Sequence, residues 1–190
     1  MKKTVKKVKL NLGCGPMPIH QQHLNIMGPN LREWILVDKY VTHPMIKNWD
    51  ATKLDEVEDE SAEHIYASHL LEHLPYTEIK DILALWKRKL APGGLLTINV
   101  PDLAWGCAQV LRYASGQMLS GYFYEFDGEH GLLSVLYGSE AHEGEFHKAG
   151  FVDRYLEELL VELGFEDIKI TAEEDAHNMG VLIATARKHA

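Results

Sequence analysis

Two glycines and one aspartate carry the clearest chemical signal in this sequence of 190 residues. Gly13 and Gly15 follow the apolar stretch 8–12, and Asp38 follows a second apolar stretch, 34–37. Glycine lets the backbone approach a ligand where a Cβ atom would collide with it. Asp38 comes roughly 20 residues after the glycines, the spacing at which a carboxylate at a strand end reaches ribose hydroxyls. The pattern predicts a nucleoside-binding crevice at the carboxyl ends of parallel strands.

The glycine turn lacks the third glycine of a dinucleotide fingerprint. Pro18 stands at that position, and Pro16 removes a backbone donor from the turn. A pyrophosphate cradle built from backbone amides is therefore disfavoured, and a nicotinamide-dependent dehydrogenase with it. A nucleoside with one carboxylate and no phosphate fits the turn better, and S-adenosylmethionine is the common one.

Histidines are the candidate bases of the chain. His69 and His73 follow the predicted strand 62–68, and His147 precedes the last predicted helix on the same side of the sheet. His130 is also expected near the crevice. Imidazole is the side chain best matched to take a proton near neutral pH. We therefore predict His73 or His147 as the catalytic base, with His69 beside the transfer site; the alternative is that these rings only hold local backbone.

His69, Glu72 and His73 also match H-x-x-E-H, the inverted signature of zinc peptidases. In that signature, two histidines one helical turn apart bind zinc and the glutamate activates water. The motif needs a sustained helix, which Pro75 curtails here, and a peptidase gives no role to Asp38. We keep a zinc peptidase as a remote alternative and assign no metal ligands from the sequence.

Strands and helices alternate along the chain. Apolar, β-branched and aromatic content predicts strands at 7–12, 33–38, 46–49, 62–68, 95–100, 166–171 and 179–187. Periodicity and capping signals predict helices at 76–90, 101–116 and 151–163, with at most a short helix at 19–26. The prediction is an α/β fold, a Rossmann-like seven-stranded, mostly parallel sheet with helices on both faces and an antiparallel strand pair at one edge.

Six short motifs follow one another in a fixed order. They are the segments 10–15, 37–38, 49–52, 65–74, 90–96 and 146–165. In this order and spacing they resemble the motifs of class I S-adenosylmethionine-dependent methyltransferases, in particular the small, single-domain, type-11-like members. The resemblance covers most of the chain, and it implies S-adenosylmethionine as the cofactor.

The resemblance implies roles for the first two motifs. Backbone amides of the turn Gly13, Cys14 and Gly15 would receive the methionine carboxylate of the cofactor. Asp38 would accept hydrogen bonds from both ribose hydroxyls. Asn11 stands where many members carry Glu or Asp, so a charge that would orient the cofactor ammonium is missing.

Two further motifs would hold the adenine and the methyl group. Asp50 would take the exocyclic amine of adenine, and the Ala51 amide would meet a ring nitrogen. Ser68 and His69, at the end of the predicted strand 62–68, would border the methionine or the transfer site. Members that methylate the amines of nucleic-acid bases carry Asn or Asp followed by Pro-Pro-aromatic there, a pattern that this chain lacks.

The composition limits the partners. A net charge of −9 repels polyanions, so nucleic acid is disfavoured as a substrate. The two cysteines form no disulfide framework and suit a reducing cytosol, and no apolar run reaches the length of a membrane span. We expect one cytoplasmic domain over 1–190, without a membrane partner, and leave a homodimer open.

The expected reaction is methyl transfer to an oxygen or nitrogen of a small molecule or a glycan precursor. Segment 103–146 is the expected acceptor-binding or lid segment. Its aromatic side chains include Trp105, Tyr113, Tyr122, Phe123, Tyr124 and Tyr137, and His130 adds a polar ring. The alternative is a catalytically silent S-adenosylmethionine-binding or scaffold protein of the same fold, because no base in the sequence is unambiguous.

Overall fold

A single sheet forms the centre of the protein. The computed structural model describes residues 6–17, 21–28, 30–117, 131–139, 143–175 and 179–190. The strands within these residues are β1 (Val8–Leu12), β2 (Trp34–Val37), β3 (Ile46–Lys47), β4 (Ala62–Ser68), β5 (Leu90–Pro101), β6 (Phe165–Glu174) and β7 (Gly180–Lys188). They pair in the order β3-β2-β1-β4-β5-β7-β6. Every neighbouring pair is parallel except those that β7 makes with β5 and β6. The predicted fold class is confirmed.

The helices connect consecutive strands or cover the sheet. Those described are α1 (Gln21–Met27), α2 (Ile79–Lys89), α3 (Leu103–Ala114), α4 (Leu132–Tyr137) and α5 (Asp153–Glu162), with short 3-10 helices at Leu31–Glu33, Leu71–His73 and Glu143–Glu145. In that part of the chain, each helix falls short of the length and apolarity needed to cross a bilayer.

Apolar side chains bury both faces of the sheet. On one face, α2 and α5 contribute Ile82, Leu83, Trp86 and Leu160 to the larger core. These α2 positions repeat at the spacing of one helix face, which is why the sequence predicted this helix well. On the other face, a smaller core joins Cys14, Met27, Trp34, Leu36, Ile46 and Tyr66. Helices on both faces leave the carboxyl ends of the parallel strands open to form a site.

Strand β5 begins earlier than the sequence predicts. The segment that ends α2, Ala91 to Gly94, continues into the strand, but its pairing with β4 is irregular: Ala62 lies opposite Leu90 and His64 opposite Leu95. A Cβ atom on Gly94 would lie 2.8 Å from the Ala91 carbonyl oxygen and 2.9 Å from that of Ala62. Glycine at position 94 therefore lets two backbone segments approach each other closely. The sequence predicted that residues 91–94 separate the helix from the strand, whereas they belong to the start of β5.

The segment 103–146 starts with α3, which packs through Trp105 on the start of β7. Only glycine fits at position 180, because a Cβ atom there would lie 2.3 Å from Trp105. Trp105 thus packs on the start of β7 and does not face the crevice. The expected residues Tyr122, Phe123, Tyr124 and His130 lie outside the described residues.

His64 on β4 makes the stability of this fold sensitive to acid. Its Nε2 lies 2.9 Å from Thr97 Oγ1, and its ring lies against Trp34 with centroids 4.9 Å apart. Burial, followed by the positive charges of Lys9 and Arg187, lowers the pKa of His64 to about 4. In the unfolded chain the pKa of histidine is about 6.5, so between these values only the unfolded chain takes up the proton.

We therefore expect His64 alone to lower the free energy of unfolding by about 2 kcal/mol as the pH falls from 7 to 5. His64→Gln keeps a donor for Thr97 and should remove that loss. Urea denaturation at the two pH values measures it, with the exposed His189→Gln as the control. An equal loss in His64→Gln and in the unaltered chain would contradict the assignment.

Candidate functional site

A cavity of about 590 Å³ opens at the carboxyl edge of the parallel strands. Its walls come from the segments that follow β1, β2, β3 and β4, and from residues 144–148. The lining residues are Gly13, Gly15, Pro16, Val37, Asp38, Lys39, Tyr40, Val41, Trp49, Asp50, Ala51, Thr52, His69, Leu70, His73, Leu74, Pro75, Gly144, Glu145 and Lys148. The volume lies within the range of small-molecule and cofactor pockets.

The turn after β1 forms one wall of the cavity. Gly13 and Gly15 have φ angles of +65° and +66°, a left-handed conformation that residues with a Cβ atom rarely adopt. A Cβ atom on Gly13 would also lie 3.0 Å from Leu70 Cδ1, whereas one on Gly15 would meet no atom within 4 Å. Gly13 is therefore needed for packing as well as for conformation, and Gly15 leaves open space for a ligand.

Asp38 ties this turn to the end of β2. Its Oδ2 accepts a hydrogen bond from the Gly15 amide at 3.0 Å. Its Oδ1 accepts from the amides of Tyr40 at 2.9 Å and Val41 at 3.0 Å. A carboxylate offers about four acceptor positions, so three amides leave one of them for a ligand. The Cys14 amide is also engaged, donating to the Val37 carbonyl at 3.1 Å.

Asp50 lies across the cavity from the glycine turn. Its Oδ1 accepts from the Thr52 amide at 3.0 Å and from the Thr52 hydroxyl at 2.6 Å, and its Oδ2 lies 3.0 Å from Lys39 Nζ. Partial burial raises the pKa of Asp50, but the bonds from Thr52 and Lys39 outweigh it and hold the pKa below its usual value. Ala51 is anchored beside it, because its carbonyl accepts a hydrogen bond from Trp86 Nε1 at 2.8 Å.

Three predicted cofactor residues do not line the cavity. Asn11, Cys14 and Ser68 are buried beneath it. Asn11 Nδ2 lies 3.2 Å from Met27 Sδ, and within the described part of the chain its Oδ1 has no partner. Burial and the charge of Asp38 raise the pKa of Cys14 to about 12, so this thiol is not a nucleophile. These side chains form the floor of the site.

The three predicted catalytic histidines converge at one end of the cavity. His69 and His73 line it, whereas His147 lies behind His73 with the two ring centroids 5.0 Å apart. Nδ1 of His73 lies 3.3 Å from the Phe146 carbonyl oxygen, and Nδ1 of His147 lies 3.1 Å from that of Val135. A carbonyl oxygen only accepts, so each ring donates from Nδ1 and, when neutral, carries its lone pair on Nε2.

Glu72 is the buried carboxylate behind these rings, with 1% of its surface exposed. Its Oε1 lies 3.1 Å from His69 Nδ1. Burial opposes charge on both groups, but their hydrogen bond and mutual attraction outweigh it, raising the pKa of His69 and lowering that of Glu72. Burial is the main cause that lowers the pKa of His147. The sequence predicted the histidines here but gave Glu72 no role outside the peptidase signature.

The zinc-peptidase signature is not in a helix that could display it. His69 has a φ angle of +49°, and the following helical residues are only the 3-10 helix Leu71–His73. His69 and His73 are therefore not one α-helical turn apart on one face, as that signature requires. The physical reason is the left-handed backbone at His69, which ends β4 with a bend.

Several cavity residues had no signal that pointed to them. Lys39, Tyr40 and Val41 directly follow Asp38, and proximity alone could have suggested them. Glu145 belongs to the predicted acceptor-binding segment 103–146 and Lys148 to the motif 146–165, although neither residue was singled out; both reach the cavity through tertiary packing. Of the predicted aromatic residues in 103–146, those within the described residues, Trp105, Tyr113 and Tyr137, are not among the lining residues.

The sequence matches a family model over about half its length. Residues 10–98 match the model described as a methyltransferase domain. This span contains the glycine turn, Asp38, Asp50 and the histidines that follow β4. No curated protein sequence matches the chain.

Solved methyltransferases share the fold. A SAM-dependent methyltransferase from Archaeoglobus fulgidus superposes with a TM-score of 0.62 at 18% identity, over 96% of this chain and 86% of that one. The 1,6-didemethyltoxoflavin-N1-methyltransferase of Burkholderia thailandensis, solved with 1,6-didemethyltoxoflavin and S-adenosylhomocysteine bound, gives 0.60 at 17% identity, over 97% and 72% of the two chains. The CurJ carbon methyltransferase gives 0.58 at 12% identity, over 99% and 50%.

The acceptor atoms in these names differ, being nitrogen in one protein and carbon in another, so the fold by itself does not determine the acceptor. The chain has the fold of the class I S-adenosylmethionine-dependent methyltransferases, and its residues 10–98 match a methyltransferase domain.

Proposed function

We propose that the chain binds S-adenosylmethionine in the 590 Å³ cavity and transfers its methyl group to an oxygen or nitrogen of a small polar acceptor. The observation that carries this proposal is the contact between the Gly15 amide and the Asp38 carboxylate. It holds a left-handed glycine turn beside a partly exposed carboxylate, in a cavity of cofactor size. A glycan precursor falls within the same acceptor class, because it also offers hydroxyl groups.

The ribose of the cofactor fits against Asp38. One hydroxyl can donate to the acceptor position that the three amides leave open. The open space at Gly15 gives the methionine chain room to lie along the turn. Gly13 and Gly15 then contribute through the path of their backbone, while the Cys14 amide stays bonded to the Val37 carbonyl oxygen.

The adenine fits between Asp50 and Ala51. Its exocyclic amine would share Asp50 Oδ2 with Lys39, whose side chain is 56% exposed. An exposed ion pair contributes about 0–1 kcal/mol, so Lys39 can move aside at little cost. Asn11 and Ser68 do not line the cavity, so we assign them a supporting role in its floor and no direct contact with the ligand.

We assign the binding of the acceptor to the end of the cavity that His69 and His73 line, which we call the acceptor end. When bound, S-adenosylmethionine supplies a methyl group on a positively charged sulfur. The acceptor atom forms a bond to the methyl carbon while the carbon–sulfur bond breaks and its electron pair stays on sulfur. His73 contacts the acceptor, because it lines the cavity and its Nε2 lone pair can take the proton that a hydroxyl or a protonated amine must lose when it is methylated. His147 and His69 position it, and Glu145 and Lys148 complete this end.

Asp38→Ala should weaken S-adenosylmethionine binding by about 10- to 100-fold, because hydrogen bonds to a charged group contribute about 1.5–3 kcal/mol. Asp38→Asn keeps a carbonyl acceptor and should lose less. Calorimetric titration measures both, and thermal melting checks that the variants fold despite the lost amide contacts. Asp55→Ala, which removes an exposed aspartate outside the cavity, is the matched control. An unchanged dissociation constant in Asp38→Ala would contradict the proposed ribose site.

Turnover is tested by S-adenosylhomocysteine release over a panel of small hydroxyl and amine acceptors that includes sugars and glycan precursors. We expect one acceptor class to be methylated. His73→Ala should then reduce kcat by about 100-fold through loss of orientation while the cofactor dissociation constant stays unchanged. Cofactor binding without release on any acceptor would contradict the proposed activity and support the silent S-adenosylmethionine-binding protein.

A further inference from the structure

We propose that Glu72, His73 and His147 form a binding site for one divalent transition-metal ion at the acceptor end of the cavity. Each residue offers one ligand atom, and these atoms all lie within 4.8 Å of one another. The set combines two imidazoles and one carboxylate. It differs from the peptidase signature, in which His69 and His73 would be the ligands and Glu72 would not.

Main-chain contacts bring the three residues together. Glu72 and His73 are neighbours in the 3-10 helix after β4, whereas His147 lies far along the chain. The Glu72 carbonyl oxygen accepts hydrogen bonds from the amides of Lys148 at 2.6 Å and Ala149 at 3.0 Å. These two bonds dock the segment with His147 on the segment with Glu72, so the backbone determines where the side chains meet.

Both imidazoles are oriented as metal ligands usually are. Metal-binding histidines commonly donate their second ring nitrogen to a backbone carbonyl or a carboxylate, which determines the tautomer and aims the free lone pair. His73 donates from Nδ1 to Phe146 and His147 donates from Nδ1 to Val135. Nε2 of each ring is therefore the nitrogen available to a metal ion.

The carboxylate of Glu72 has an unsatisfied oxygen. Its Oε1 is hydrogen-bonded to His69 Nδ1, while its Oε2 is buried and has no hydrogen-bond partner within the described part of the chain. Leaving a buried polar atom unsatisfied costs about 1–3 kcal/mol, which calls for a water or an ion as the partner. A second, small cavity of about 20 Å³ is lined by Glu72 and His147, though not by His73, and its size suits one water-sized species. Room for the missing partner is therefore present beside two of the three ligands.

The donor atoms select the class of metal. Two imidazole nitrogens and one carboxylate oxygen suit Zn²⁺, Co²⁺, Ni²⁺ or Fe²⁺, whereas Mg²⁺ and Ca²⁺ prefer oxygen ligands. Three protein ligands leave a coordination position open, and His73 is the one of them that lies on the wall of the large cavity. With the ion bound, His73 Nε2 would be a metal ligand, so the acceptor would meet the ion in place of that nitrogen. There the ion would hold the acceptor oxygen or nitrogen and polarise it. This role rests on the proposed function, but binding of the ion does not.

Titration of the chelator-treated full-length chain with Co²⁺ tests the site, because bound Co²⁺ gives a visible absorption spectrum that is independent of activity. We expect one Co²⁺ per chain, displaced by Zn²⁺ and not by Mg²⁺, with a higher melting temperature. Glu72→Gln and His147→Gln should each weaken binding by at least about 100-fold, since loss of a second-shell contact alone costs about 10- to 100-fold. His189→Gln, which alters an exposed histidine lying 2.7 Å from Glu166, is the matched control.

Absence of Co²⁺ binding by the folded chain would overturn the proposal, and so would equal affinity in the unaltered chain and in both folded variants. Melting curves identify a variant that does not fold, and the other variant then decides. Parallel titration with S-adenosylmethionine separates the two proposals. A chain that binds the cofactor and no Co²⁺ overturns the metal site alone. A chain that binds Co²⁺ through Glu72 and His147 but no cofactor supports the metal site and overturns the proposed function.

Discussion

The convergence of three backbone amides on the carboxylate of Asp38 is the contact on which the geometry of the cavity depends. Parallel pairing places the ends of β1 and β2 side by side, but it does not determine the path of the chain beyond them. Asp38 accepts hydrogen bonds from the Gly15 amide on one side and from the Tyr40 and Val41 amides on the other. One side chain therefore holds in place both the loop after β1 and the loop after β2. The left-handed glycines make this possible, because a turn with Cβ atoms could not approach Leu70 and the strand end as closely.

A second backbone contact sets the opposite end of the cavity. The Glu72 carbonyl oxygen binds the amides of Lys148 and Ala149, which brings a late segment of the chain against the end of β4. The two ends differ in chemistry. Asp38 and Asp50 offer acceptors that suit a nucleoside, while the other end concentrates imidazoles around a buried carboxylate. A methyl donor bound between them would present its reactive end to the imidazoles, which is the arrangement that an in-line transfer needs.

Local patterns predicted the sheet, and they placed the glycine turn, Asp38 and Asp50 at one edge of it. Strand β4 has the bounds that the sequence predicted, and the spacing from the glycine turn to Asp38 placed both at one edge, since neighbouring parallel strands share their carboxyl ends. Contacts between distant segments left no such pattern. Glu145 and Lys148 reach the cavity only through the docking at Glu72, and Trp105 lies on Gly180 because that glycine leaves room for it. Asn11 and Ser68 were predicted as ligands from position alone, without the burial that places them in the floor.

In the proposed function, Asp38 and the glycine turn hold the nucleoside and the amino-acid chain of the cofactor. A crystal structure of the chain with S-adenosylhomocysteine bound is the decisive measurement. We expect the ribose within hydrogen-bond distance of Asp38, the adenine beside Asp50 and Ala51, and the sulfur directed toward His73. A ligand bound elsewhere, or one bound in the cavity with its ribose away from Asp38, would contradict it.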